Sequence, residues 1–132
     1  MEDIYQNILL PVDGSQESIN AFKQGIQQAK LWGSQVFLVH VLPKDDKGLY
    51  IEEQNSFLTA LENYANKQGI HLHKEIVYGE PRTQIADKLI ERWDIDLIIM
   101  GATGKSGLAK MLVGSVTSYI LRHAKCDVII SR

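Results

Sequence analysis

Apolar and polar positions along the chain alternate between two patterns. Compact apolar runs, typical of parallel strands buried on both faces, are followed by stretches whose apolar residues recur at helical spacing. Residues Asn7–Val12 are almost entirely apolar, and Ser15–Trp32 then carries Ile19, Phe22 and Ile26 at the helical interval. A strand followed by a helix is therefore predicted for the first part of the chain.

The same alternation continues to the end of the sequence. It predicts further strands at Val36–Leu42, Ile70–Val77, Asp96–Met100 and Val128–Ser131, and further helices at Ile51–Lys67, Pro81–Trp93 and Ser115–His123. Strands joined through helices indicate an α/β fold with a five-stranded parallel sheet and helices on both faces. No linker, repeat or low-complexity stretch interrupts the pattern, so residues 1–132 are expected to form a single domain. The pattern alone does not give the order of the strands.

Composition narrows the class of protein. The chain has 132 residues, of which 45% are hydrophobic and 23% charged, as in soluble globular proteins. A net charge of −2 argues against a nucleic-acid binder, which needs a basic excess. No apolar run has the length of a membrane span, the acidic start lacks the layout of a signal peptide, and the single Cys126 cannot form an intrachain disulfide. We therefore expect a cytoplasmic protein that binds neither nucleic acid nor membranes.

Glycines cluster where the fourth predicted strand ends. Gly101 and Gly104 follow the apolar run, and Gly114 stands after nine further residues, directly before the last predicted helix at Ser115. Glycines at a strand-to-helix turn let backbone N–H groups approach an anion, and a helix N-terminus adds a partial positive charge. The pattern therefore predicts a phosphate-binding loop.

Two common phosphate-binding motifs do not fit. A Walker A loop needs a glycine five residues before the glycine of Gly104-Lys105-Ser106, and Ile99 stands there. The dinucleotide fingerprint needs three spaced glycines after the first strand, where this chain has Asp13-Gly14-Ser15. What remains is Gly-x2-Gly-x9-Gly-Ser, a spacing that suits a loop folding over a phosphate chain.

Asp13 stands at the carboxyl end of the first predicted strand, where ligands bind in open α/β sheets. Its carboxylate can accept hydrogen bonds from both hydroxyls of a ribose, and that would make the phosphate site a nucleotide site. An aspartate here can also cap the following helix through a local turn. The sequence leaves both interpretations open.

Other reactive side chains give weaker signals. The four histidines show no metal-ligand spacing, so no metal site is predicted. Cys126 is expected to be a small buried apolar residue rather than a nucleophile. Hydrolysis of a bound nucleotide needs a residue that orients water, and no acidic residue can be assigned to that task from the sequence. No catalytic residue is therefore predicted.

The chain resembles the universal stress protein family over its whole length. The resemblance rests on Ile8–Ser15, Val39–Val41, Asp96–Gly101, the glycine pattern continued to Thr117, and the tail Leu121–Arg132. The glycine pattern is similar to that of the family's ATP-binding branch. The resemblance implies a sheet of order 3-2-1-4-5, as in adenine nucleotide alpha hydrolase-like folds, with Asp13 and Gly101 side by side.

The resemblance also implies a set of nucleotide-binding residues. Adenine would lie against Pro11, Val12 and Val41, and Asp13 would hold the ribose. The full set is Pro11, Val12, Asp13, Val41, Met100, Gly101, Thr103, Gly104, Gly114, Ser115, Val116 and Thr117. Mg²⁺ would be held mainly by the phosphates of ATP. Thr103 departs from the family, which often has arginine or histidine there, and this weakens one expected phosphate contact.

Finally, the resemblance implies a homodimer. The last strands of two copies, through Val128, Ile129 and Ile130, would pair antiparallel and cover an otherwise exposed sheet edge. The function implied is a nucleotide-dependent, ATP-binding stress-response or signalling dimer with at most slow hydrolysis. A weak ATPase, and a dimerisation module that binds AMP or a cyclic nucleotide, remain as alternatives.

Overall fold

A computed structural model describes residues 4–45, 48, 51–102 and 114–132. The strands are β1 (Asn7–Val12), β2 (Gln35–Leu42), β3 (His73–Tyr78), β4 (Leu97–Gly101) and β5 (Asp127–Ser131). The helices are α1 (Gln16–Trp32), α2 (Ile51–Lys67), α3 (Pro81–Thr83), α4 (Leu89–Trp93) and α5 (Ser115–His123), and a π-helical segment, Gln84–Lys88, joins α3 to α4. No helix in this described part of the chain has the length and apolar character needed to cross a membrane.

The element bounds agree closely with those predicted, and α2 and α5 begin and end at the predicted residues. The main difference is β3, which begins at His73 rather than Ile70. The Ile70 N–H donates to the Ala65 carbonyl at 2.9 Å, and Gly69 has the left-handed φ of 83°. Residue 70 therefore still belongs to the C-terminal cap of α2, and the strand starts only after that cap is complete.

The five strands form one parallel sheet of order β3-β2-β1-β4-β5, as the resemblance implied. β1 is central and pairs with β2 over its whole length, from Asn7 opposite Gln35 to Val12 opposite His40. Its pairing with β4 covers only Ile8 and Leu9. The chain reverses its winding direction between these two strands, so the carboxyl edge opens there.

Pro11 explains why the pairing between β1 and β4 ends early. The Asn7 carbonyl accepts a hydrogen bond from the Asp96 N–H at 3.0 Å, on the β4 side of β1. Successive residues of a strand direct their backbone groups to opposite neighbours, so Leu9 and Pro11 also face β4. Proline has no N–H to donate. The ladder therefore stops after Leu9, and the ends of the two strands are left unpaired with each other.

Helices cover the sheet on both faces. On one face, α1 and α2 contribute Phe22, Ile26, Ala29, Leu58, Leu61 and Ala65 to a buried cluster that includes Ile8, Leu10 and Leu38. On the other face, the π-segment, α4 and α5 contribute Ile85, Ala86, Leu89, Ile90 and Ile120 to a cluster that includes Leu9, Val39 and Ile98. Alternate residues of β1 thus enter opposite cores, as the period of a strand requires.

Candidate functional site

A cleft of about 290 Å³ opens at the carboxyl edge of the sheet, where β1 and β4 separate. The ends of β1, β2 and β4, the start of α1, the α3 and π-segment region, and the N-terminus of α5 form its wall. Its lining residues are Pro11, Val12, Asp13, Ser18, Val41, Pro81, Ile85, Met100, Gly101, Gly114, Ser115, Val116 and Thr117.

This lining contains all the predicted site residues except Thr103 and Gly104, which lie outside the described residues. Sequence reasoning missed Ser18, Pro81 and Ile85. Pro81 and Ile85 lie in the predicted helix Pro81–Trp93, and both follow the carboxyl end of β3. That location at the carboxyl edge is the signal by which they could have been found.

One wall of the cleft is apolar. Pro11, Val41, Pro81, Ile85 and Met100 line it, and Ile85 and Met100 are 4% and 7% exposed. The wall therefore offers a dry surface for a flat apolar group such as a heterocyclic base.

Asp13 begins the tight turn between β1 and α1. Its Oδ1 accepts a hydrogen bond from the Ser15 N–H at 2.9 Å, and Gly14 between them has a φ of 90°. Ser15 caps α1 by accepting the Ser18 N–H on its Oγ at 3.1 Å. The local-turn role of Asp13 is thus present in the structure. It does not exclude ribose binding, because an ionised carboxylate has acceptor positions for several donors.

The N-terminus of α5 differs from that of α1. Its N-cap is Gly114, which supplies no side-chain hydrogen bond. The Gly114 N–H donates to the Ala102 carbonyl at 2.9 Å, which joins the end of β4 to the start of α5. The first N–H groups within a helix have no carbonyl partner in that helix, and together they carry a partial positive charge. Since Ser115, Val116 and Thr117 line the cleft, this end of α5 can bind an anion there.

Gly101 lines the cleft, but it belongs to the strand rather than to the turn after it. It was expected to form a tight turn after β4, but it is the last residue of β4 and pairs with Ser131 of β5. A Cβ atom at this position would stand 3.1 Å from the Glu17 carbonyl oxygen. The first turn of α1 therefore packs directly on the Gly101 backbone, and this close approach is itself a reason for glycine.

Thr117 ties α5 to the same strand end. It is 3% exposed, and its hydroxyl donates to the Gly101 carbonyl at 3.0 Å. The hydroxyl proton is thus directed at the sheet. Any contact of Thr117 with an anion in the cleft would accordingly use its backbone N–H.

The π-segment connects the cleft to the start of β5. The Leu89 N–H bonds to the Gln84 carbonyl, the longer interval that defines a π-helix, and Ile85 of this turn lines the cleft. On its other side, the Ala86 carbonyl accepts the Lys125 N–H at 3.3 Å, and the Lys125 ammonium lies 2.8 Å from a carboxylate oxygen of Asp87. The hydrogen bond to Asp87 raises the pKa of Lys125 above its ordinary value.

Cys126 lies outside the cleft, and its environment disfavours the thiolate. Burial, and then the charges of Asp127 and Asp96, raise its pKa to about 11. The side chain is half-buried rather than buried as predicted, because it stands in the exposed connection before β5. Among the described residues, no three His, Cys, Asp or Glu side chains are grouped so that they could hold a metal ion.

Comparison with known proteins identifies the family. The model of the universal stress protein family matches residues 4–132. The chain belongs to this family. A universal stress protein of Methanocaldococcus jannaschii is 32% identical, over 98% of this chain and 83% of that protein. The structure of the universal stress protein UspA from Lactobacillus plantarum has a TM-score of 0.86 at 29% identity, covering 97% of this chain and 98% of the other.

A more distant member of the universal stress protein family was solved with a ligand. This protein, from Archaeoglobus fulgidus, is in complex with dAMP. It has a TM-score of 0.79 to the present chain at 24% identity, covering 98% of this chain and 99% of that one. At that identity the likeness establishes the shared fold.

The packing of α1 on Gly101 gives a prediction for this universal stress protein. Gly101→Val should lower the free energy of unfolding by about 2 kcal/mol, since the added methyl groups overpack the contact with Glu17. Thermal and urea denaturation without any nucleotide measure this. Unchanged stability would mean that α1 does not constrain this glycine and that its role lies in ligand binding alone.

Proposed function

We propose that this universal stress protein binds an adenine nucleotide, ATP with Mg²⁺, in the cleft between β1 and β4. The observation that carries the proposal is that three chemically different surfaces line one cleft. They are the apolar wall, the carboxylate of Asp13, and the N-terminus of α5 without a side-chain cap. They suit the base, the ribose and the phosphates of one nucleotide.

The apolar wall supports the placement of the base. Pro11 and Val41 come from the ends of adjacent strands, while Ile85 and Met100 approach from the π-segment and β4. Stacking a purine between such side chains removes apolar surface of both from water, which is favourable by about 25 cal/mol per Å².

Asp13 and α5 support the placement of the remaining groups. Asp13 is held at the end of β1 by its hydrogen bond to Ser15, so its carboxylate meets a ribose without having to be ordered first. The phosphates would lie at Gly101, Gly114 and the first turn of α5, with Thr103 and Gly104 added from outside the described residues. Mg²⁺ prefers phosphate oxygens and water, so it would need few ligands from the protein.

The nature of the lining favours binding over hydrolysis. Asp13 is the single carboxylate among the described lining residues, and the ribose occupies it in this proposal. Hydrolysis needs a group that orients water on the γ-phosphate and charge that stabilises the transition state. We therefore expect at most slow ATP hydrolysis. The Archaeoglobus fulgidus protein was solved with dAMP, so a nucleoside monophosphate is our second candidate ligand.

Ligand binding gives the first test. At a free Mg-ATP concentration of 100 times its Kd, the folded state should gain about 2.7 kcal/mol, seen as a higher melting temperature. Asp13→Ala should weaken binding by at least about a hundredfold in calorimetric titration, because it removes two charge-assisted hydrogen bonds. Glu91→Ala, which removes an exposed carboxylate on α4, is the matched control and should bind as the wild type does.

The same titrations separate the candidates. No thermal shift with millimolar ATP, ADP or AMP would refute nucleotide binding in this cleft. If AMP binds as tightly as ATP, the β- and γ-phosphates contribute nothing to the affinity. A monophosphate would then replace ATP as the proposed ligand.

We also propose that two copies pair through β5. In the described sheet β5 has β4 on one side and no strand on the other. Val128 and Ile130 pack on the core, and Ile129 on the opposite face is 40% exposed. An antiparallel pair of β5 strands would satisfy the backbone groups of this edge and cover Ile129.

The dimer predicts a selective effect of charge. Ile129→Glu should yield monomers in light scattering coupled to size-exclusion chromatography, since it buries an unpaired carboxylate at the two-fold axis. Leu31→Glu is the control, because Leu31 is 77% exposed near the end of α1 and is not part of the proposed strand pair. A dimeric Ile129→Glu variant, or a wild-type monomer, would show that the interface is wrong.

The remaining assignments follow from composition. A lone thiol at Cys126 suits a reducing compartment, and we propose the cytoplasm. The net charge of −2 gives no electrostatic drive toward nucleic acid.

A further inference from the structure

Ser18 occupies an unusual place in the turn between β1 and α1. It is 6% exposed and lines the cleft, although no sequence motif identified it. Its hydroxyl makes two hydrogen bonds. It donates to the Ser15 carbonyl at 2.9 Å and accepts from the Asp13 N–H at 3.3 Å.

These bonds close a ring around the turn. Asp13 binds the Ser15 N–H through its carboxylate, Ser15 binds the Ser18 N–H through its hydroxyl, and the Ser18 hydroxyl returns to the backbone of both. In the usual capping box, the side chain three residues into the helix bonds the N–H of the N-cap residue. Here the Asp13 carboxylate already accepts the N–H of the N-cap residue, Ser15. The Ser18 hydroxyl instead accepts the N–H of Asp13, two residues before the N-cap.

Apart from the hydrogen bonds that the Asp13 and Ser15 side chains accept, the centre of this turn has little to hold its backbone. Gly14 has the left-handed φ of 90°, and a Cβ added there would meet no atom within 4 Å. Packing therefore does not hold the turn at Gly14, and glycine has the widest conformational freedom of any residue. The Ser18 hydroxyl fixes the backbone on both sides of that glycine.

We propose that Ser18 is a positioning residue for ribose recognition. Its hydroxyl fixes the backbone N–H of Asp13, and so the direction in which the Asp13 carboxylate meets the two ribose hydroxyls. The inference depends on the proposed function, since it requires a ribonucleotide in this cleft. It predicts that the contribution of Ser18 to affinity appears only when the ligand has those hydroxyls.

The test compares Mg-ATP with its 2′,3′-dideoxy analogue, which lacks both hydroxyls. For the wild type, ATP should bind at least tenfold more tightly than the analogue. Ser18→Ala should lose about fivefold to tenfold in affinity for ATP, the range expected for one hydrogen bond, and should bind the analogue within twofold of the wild type. In an Asp13→Ala background, Ser18→Ala should cause no further loss for either ligand.

Ser34→Ala is the matched control. Ser34 is 7% exposed, and its hydroxyl donates to the Tyr5 carbonyl at 2.6 Å, at the opposite edge of the sheet. Ser34→Ala should lower the melting temperature about as much as Ser18→Ala does, because each removes one buried hydroxyl. The ratio of the affinities for ATP and its dideoxy analogue should stay at the wild-type value. If Ser18→Ala does not fold, Ser18→Cys replaces it, since a thiol has nearly the same size but forms weaker hydrogen bonds. It too should lose affinity for ATP and not for the dideoxy analogue.

The outcomes separate the two proposals. Equal losses of both ligands in the Ser18 variant, or no loss of either, would overturn the positioning role and leave nucleotide binding intact. If the wild type binds ATP and its dideoxy analogue equally well, the ribose hydroxyls contribute nothing to affinity, and the positioning role of Ser18 is overturned as well. A wild type that binds neither ligand would refute the proposed function itself, and the role of Ser18 with it.

Discussion

The missing N–H of Pro11 is the constraint on which the site depends. A central strand ordinarily forms ladders on both sides, and β1 does so with β2 up to Val12. On the β4 side the ladder ends after Leu9, because the next residue that faces β4 is a proline. The two strand ends thus separate at the point where the winding of the sheet reverses. The cleft begins there, and Pro11 forms part of its apolar wall.

Three tethers hold the groups around that opening. The Ser18 hydroxyl binds the turn that carries Asp13, the Thr117 hydroxyl binds the end of β4, and the Ala102 carbonyl binds Gly114 at the start of α5. Each tether uses groups from the elements that line the cleft. These described parts of the site are therefore held in place by contacts within the protein, which reduces the entropy that binding must offset.

The sequence predicted the elements well because most of them have strong periodicity and clear ends. Helix α5 follows Gly114, and α1 ends at Trp32, directly before Gly33, whose left-handed conformation is typical of a C-cap. The strand order came from the family resemblance, since periodicity carries no information on which strands are neighbours. Placement of most site residues at one cleft follows from that order.

Features that depend on distant contacts could not be predicted. The need for glycine at position 101 arises from direct contact with the backbone of Glu17, which is far away along the chain. The π-segment within Pro81–Trp93 has no glycine or proline of its own to mark it, and its Ala86 carbonyl binds Lys125 from the far end of the chain. Ser18 was missed because its role depends on hydrogen bonds to the backbone of Asp13 and Ser15, which the sequence pattern does not show.

The most direct test of the central claim, that a nucleotide binds where β1 and β4 separate, is a map of backbone amide chemical shifts on addition of Mg-ATP. The account predicts shifts at Asp13, Val41, Gly101 and Val116 along the carboxyl edge, with the amide of Asn7 at the opposite edge unchanged. Shifts confined to the Asn7 edge, or none at saturating ATP, would contradict it.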